Sequence, residues 1–182
     1  MWWSIYQLIM SFVFWIPMAI LFLRILFPLV RAPFSDPMVG WIYTVTNPLM
    51  RPLERFIPRY RNLHLAAVLL FIAVSMLSVA VIGLTLQPRM LIFGGLERAL
   101  GFVYFFLIAL LILYVLMSFV VVRRGNFFVE LVGRVVGPPI RWIRARVPPI
   151  GPFDLSPMLL ILALTILWML LSAGLWTLAG VG

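Results

Sequence analysis

The chain contains no cysteine and no lysine: its fourteen basic residues are all arginine, set against five carboxylates and one histidine. Without thiols there is no disulfide, no iron-sulfur ligation and no cysteine nucleophile, and without lysine no Schiff-base chemistry. One histidine and five carboxylates fall short of a side-chain metal cage unless subunits pool their ligands. No cofactor is expected. Charge is scarce altogether, since 10% of the residues are charged and 65% are hydrophobic. That composition belongs to a membrane chain rather than to a soluble domain.

What the sequence does contain is long apolar runs in a repeated frame. Shifting the chain by 90 residues places Pro48 on Pro138, Arg51 on Arg141, Leu53 on Ile143, Pro58 on Pro148, Leu65 on Leu155 and Leu69 on Leu159. In each copy a basic segment is cut by a proline turn and followed by a run long enough to cross about 30 Å of hydrocarbon. The expected fold is therefore an all-α membrane protein with four transmembrane helices in two parallel repeats. Each repeat carries an amphipathic surface-helix segment on the cytoplasmic face between its two spans.

The first repeat, 1–90, is read with spans at about 2–23 and 63–86 and surface helices over about 36–57; the second, 91–182, has spans at about 99–122 and 155–178 and surface helices over about 126–147. Pro17 is expected to kink the first span. Arg24 is expected to snorkel to the interface beside Arg31. Asp36-Pro37 reads as a helix cap with proline in the first turn. Asn47-Pro48 reads as a second helix start, Pro52 is expected to bend or break that helix, Gly137-Pro138-Pro139 to end its counterpart, and Gly94-Gly95 to punctuate a short turn over Gln87 to Arg98.

Orientation follows from the arginines. Six lie between the first two spans, counting Arg24, six between the last two, and two, Arg89 and Arg98, in the middle turn. Cytoplasmic flanks accumulate positive charge, so both long segments face the cytoplasm and both termini the other side of a bacterial inner membrane. The same rows supply candidate headgroup ligands, Arg51, Arg55, Arg141, Arg144 and Arg146, interleaved with the interfacial anchors Trp41, Phe56 and Trp142. The expected partners are anionic lipid headgroups, a second copy of the chain, and membrane or division proteins; nucleic acid is not expected.

The stretches NPLMRPLERFIP and VPPIGPFDLSPMLLIL resemble the YggT (YlmG) family of small integral membrane proteins. The second copy matches that pattern at Pro148, Pro149, Ile150, Gly151, Asp154, Leu155, Ser156 and Pro157, and the first at Asn47, Pro48, Pro52 and Pro58. The first copy departs from it at Pro58-Arg59-Tyr60-Arg61 and at His64-Leu65-Ala66-Ala67. The resemblance implies turn and cap roles for the matched residues and no known catalysis. It implies instead roles in membrane organisation: osmotic or potassium tolerance, division, and nucleoid or photosynthetic-membrane biogenesis. On the residues themselves, Asp154 reads as a helix cap bonded to Arg141 or Arg144, and His64 as an interfacial polar residue. No nucleophile-base constellation is in view, so a non-enzymatic protein that binds anionic lipid and organises partners at the cytoplasmic face is expected. The alternative is an oligomeric channel-like or transport-associated subunit affecting potassium or osmotic balance, its pore lined by Ser75, Ser78, Thr85, Ser118, Thr165 and Ser172.

Overall fold

The computed structural model describes residues 1–33, 35–55, 57, 64–119, 127–147 and 154–180. These form six helices and, among the described residues, no strand: α1 Trp2–Leu29, α2 Pro37–Glu54, α3 Leu65–Gly83, α4 Pro88–Phe119, α5 Phe127–Arg144 and α6 Ser156–Leu178. Four of them, α1, α3, α4 and α6, are long and apolar enough to cross a bilayer. The chain is a multi-pass membrane protein. By contacts it falls into two compact units, one of Met1–Leu100 with Leu175–Gly182 and one of Gly101–Gly174.

In the first unit α1 and α3 run antiparallel. Tyr6 Oη donates to the carbonyl of Val81 at 2.7 Å near one end, and the rings of Phe22 and Phe71 lie 6.0 Å apart toward the other. Leu84, in the left-handed conformation, ends α3. The cap of α2 is the one the Asp-Pro pair predicts, with Asp36 Oδ1 accepting from Met38 N at 2.9 Å and Pro37 in the first turn.

Three expected breaks are absent. α2 continues through Pro48 and Pro52, and α5 through Pro138 and Pro139, each as one helix of 18 residues. All four prolines are exposed while Thr46, Met50, Val136 and Ile140 beside them are buried, so the carbonyls deprived of an N–H lie on a side that water or headgroups can reach. Nor is Gly94-Gly95 a turn, for it sits inside α4 where that helix crosses α3. A Cβ on Gly95 would stand 2.4 Å from Met76 Cγ and 3.0 Å from Met76 Cα, and one on Gly94 would stand 3.3 Å from Val79 Cγ1. Lipid is as apolar as leucine, so membrane helices associate by close packing over small residues rather than by expelling water. Here the glycines let two backbones meet. Pro17 lies inside α1.

The second unit packs the later part of α4 against α5 and α6 around Leu110, Leu111, Val132, Val136 and Ile140. Tyr104 stacks on Trp168 at 5.6 Å, and its hydroxyl lies 3.1 Å from Thr165 Oγ1. Gly101 makes room for the indole, since a Cβ there would be 3.0 Å from Trp168 Cη2. Beyond Ser156 and Pro157, α6 has no buried residue. Its apolar side chains are those of a lipid-facing span.

Candidate functional site

The site begins with a charge that an apolar helix ought to push outward. Arg24 lies in the last two turns of α1, yet 2% of its surface is exposed. It does not snorkel, because α2 supplies what the interface would have supplied. One guanidinium nitrogen, Nη1, donates to Thr46 Oγ1 at 2.9 Å, to Asn47 Oδ1 at 3.0 Å and to the carbonyl of Tyr43 at 3.3 Å. Its central carbon sits 3.9 Å over the Tyr43 ring. The other nitrogen, Nη2, is 3.6 Å from Glu54 Oε1, and His64 Nδ1 approaches the same oxygen at 3.5 Å. Burying a guanidinium is costly unless its charge is met. Here two side-chain oxygens and a carbonyl on Nη1, a nearby carboxylate and an aromatic face offset that cost, although Nε itself has no hydrogen bond among the described residues.

Ninety residues later the corresponding positions again bring two ionisable side chains together, the carboxylate now on the side of the span rather than of the preceding helix. Arg24, Glu54 and His64 correspond to Tyr114, Arg144 and Asp154. Arg144 Nη2 pairs with Asp154 Oδ2. The free oxygen of Asp154, Oδ1, accepts from Ser156 N at 2.9 Å at the start of α6. Burial pushes the Asp154 carboxyl up, but hydrogen bonds from Ser156 and the charge of Arg144 outweigh it and hold the group below its usual range. In both halves, then, a side chain at the end of an intervening helix meets the residue just before the span that follows, as a charged pair at Arg144-Asp154 and as a 3.5 Å approach at Glu54-His64.

The remaining sequence-derived candidates divide by exposure. Arg51, Arg55, Arg141 and Arg146 are exposed at the C-terminal ends of α2 and α5, and Arg144 is exposed but engaged by Asp154. Trp41 is 57% and Trp142 60% exposed, as interfacial anchors would be. The Arg146 guanidinium lies 3.5 Å over the Trp142 ring and donates to the Trp142 carbonyl at 3.0 Å. Asn47 serves Arg24; Pro48 is exposed; Ser156 and Pro157 are buried at the start of α6. Phe56, Pro58, Pro148, Pro149 and Gly151 lie outside the described residues. The sequence reading missed the cluster around Arg24. Its one signal was an arginine closing an uncharged span, with threonine and asparagine side by side in the next helix.

Chemically the arrangement holds and orients. Among the described residues no three metal-ligating side chains converge. Three of the six hydroxyls proposed to line a pore bond to carbonyls of the chain: Ser75 and Ser78 are fully buried, Ser75 donating to the carbonyls of Ile72 and Gly95 and Ser78 to that of Ser75, while Thr165 donates to the carbonyl of Ile161.

The sequence profile of the CCB3/YggT family matches the chain twice, over residues 2–85 and 93–175. An uncharacterized protein of Pseudomonas aeruginosa is 31% identical over 170 residues, covering 88% of this chain and 85% of its own. One of Haemophilus influenzae is 30% identical over 168 residues, covering 88% and 90%. The uncharacterized protein YggT of Escherichia coli K12 is 29% identical over 152 residues, covering 81% and 79%. No solved structure matches. With its two halves each matching that profile and its four candidate spans, the chain belongs to the CCB3/YggT family of multi-pass membrane proteins.

Proposed function

We propose that this chain is a non-enzymatic membrane protein whose two intervening helices hold anionic headgroups at the cytoplasmic face and organise partners there. The observation that carries the reading is the outward row formed by Arg141, Trp142 and Arg146. An indole offers its apolar body to the acyl boundary, the Arg146 guanidinium is held against it, and Arg141 stands exposed one residue away. On α2 the corresponding surface has exposed Trp41, Val45 and Leu49 at helical spacing, followed by Arg51 and Arg55. Each helix buries its other side, Val39, Ile42, Thr46 and Met50 on α2 and Val132, Val136 and Ile140 on α5. In this reading the contacts at Glu54-His64 and Arg144-Asp154 hold each surface helix to the span that follows.

The arginine count favours placing these helices in the cytoplasm of a bacterial inner membrane with both termini opposite. Of the two arginines between the second and third spans, Arg89 is in the first turn of α4 while Arg98 lies about ten residues in, so that flank carries Arg89 alone. The channel alternative draws less support, because three of its six hydroxyls, those of Ser75, Ser78 and Thr165, bond to carbonyls of the chain. The test is lipid retention by the detergent-purified full chain in native mass spectrometry. Arg141→Glu with Arg146→Glu is expected to cut retention of phosphatidylglycerol several-fold relative to phosphatidylcholine, with membrane insertion unchanged. Equal retention by variant and parent would end the headgroup reading.

A further inference from the structure

Glu97 and Arg98 lie inside a candidate span, Pro88–Ser118. Their depth follows from the crossing of α3 and α4. Ser75 Oγ donates to the Gly95 carbonyl at 2.8 Å, Gly95 abuts Met76, and Gly94 abuts Val79, so the two helices run antiparallel. Two and three residues beyond Gly95, Glu97 and Arg98 come level with Val74 and Ala73, at the middle of Leu65–Gly83. The antiparallel α1 brackets the same layer, with Tyr6 at one border and Arg24 at the other. A helix of this length spans about 28 Å, so both charges stand roughly 14 Å from either border.

Charges at that depth must meet protein, water or an opposite charge. Arg98 is half-buried, and no described residue gives it a hydrogen bond or ion pair. Leu100, two residues on, is 37% exposed. We infer that Glu97 and Arg98 are the contact through which two copies of the chain pair inside the bilayer, the Arg98 guanidinium of each copy donating to the Glu97 carboxylate of the other. Charge complementarity selects the occupant. A two-fold axis along the membrane normal sets identical residues at identical depth, and neighbours in a helix differ in height by about 1.5 Å, so both reciprocal pairs close together. A carboxylate accepts from several donors, so Glu97 retains its contacts within its own chain. Such a charge-assisted, forked pair is strongest where water is scarce.

The absence of cysteine makes Leu100→Cys a single reporter thiol. In vesicles containing the full-length chain, oxidative cross-linking through that thiol is expected to yield dimer. Glu97→Arg alone and Arg98→Glu alone should each reduce the yield at least tenfold, because each sets like charges face to face. Mixing the two variants, distinguished by tag length, should restore cross-linking as the heterodimer. Where a reversal prevents insertion, Glu97→Gln and Arg98→Gln serve instead, and each should lower the yield. Cross-linking that ignores all these changes overturns the inference. So does labelling of Arg98→Cys by a membrane-impermeant maleimide in a chain that gives no dimer, which would assign Arg98 to a water-filled path.

Discussion

Replacing Arg24 with methionine tests whether an arginine at the end of a span serves the interface or the fold. The substitution removes donors to Thr46, Asn47 and the Tyr43 carbonyl and takes the positive charge from Glu54, whose side chain is 23% exposed. Hydrogen bonds from a charged group contribute about 1.5–3 kcal/mol each, but these converge on one guanidinium and do not add. Breaking a buried pair by removing one partner costs about 3–5 kcal/mol, because the other charge stays behind. We therefore expect Arg24→Met to destabilise the protein by about 3–5 kcal/mol, a few-hundred- to few-thousand-fold in the folding equilibrium. Arg24→Met combined with Glu54→Gln should recover part of the loss, since no charge is then stranded. Arg51→Met, at an exposed position on α2, should stay within about 0.5 kcal/mol of the parent. Unfolding in mixed micelles, followed by tryptophan fluorescence, reads all three variants. If Arg24→Met proves as mild as Arg51→Met, the arginine is interfacial after all.

Two further outcomes follow from the same geometry. Gly95→Ala places a methyl group where Met76 already stands and should cost about 1–3 kcal/mol by overpacking, whereas Gly133→Ala, with open space around it, should be nearly neutral or slightly stabilising; the same unfolding assay compares them. Asp154 has a folded pKa below its unfolded value of about 3.9, so the stability it contributes is full above that value and drains away as pH falls toward the folded one. Asp154→Asn should remove that share of the acid sensitivity, read as a flatter dependence of melting temperature on pH between about 5 and 2; an unchanged slope would count against the Arg144 clamp.

Much of the architecture was legible in composition and spacing because a bilayer imposes length and apolarity on every span. Trp2–Leu29, Leu65–Gly83 and Ser156–Leu178 stand out as uncharged or nearly uncharged runs, and Asp36-Pro37 announces the start of α2. Prolines misled for a physical reason: a sequence shows that a hydrogen bond is lost, not which side of the helix loses it. At Pro48, Pro52, Pro138 and Pro139 that side is exposed, so the helices persist. The glycine pair misled likewise, since Gly94-Gly95 accommodates a neighbouring backbone that adjacency in sequence does not reveal. Arg24 was hidden because its partners Tyr43, Thr46, Asn47 and Glu54 lie 19 or more residues further along.

The carboxylate's change of side between Glu54-His64 and Arg144-Asp154 bears on how a chain made of two similar halves assembles without confusing them. Near-identical repeats can trade partners as they emerge from the insertion machinery. Were α2 to dock at the head of α6, Glu54 would meet the carboxylate of Asp154; were α5 to dock at the head of α3, Arg144 would meet His64 with no acid between them. Neither wrong match would set a carboxylate beside a basic group. The two halves of the duplicated design thus differ in which side of the contact carries the carboxylate.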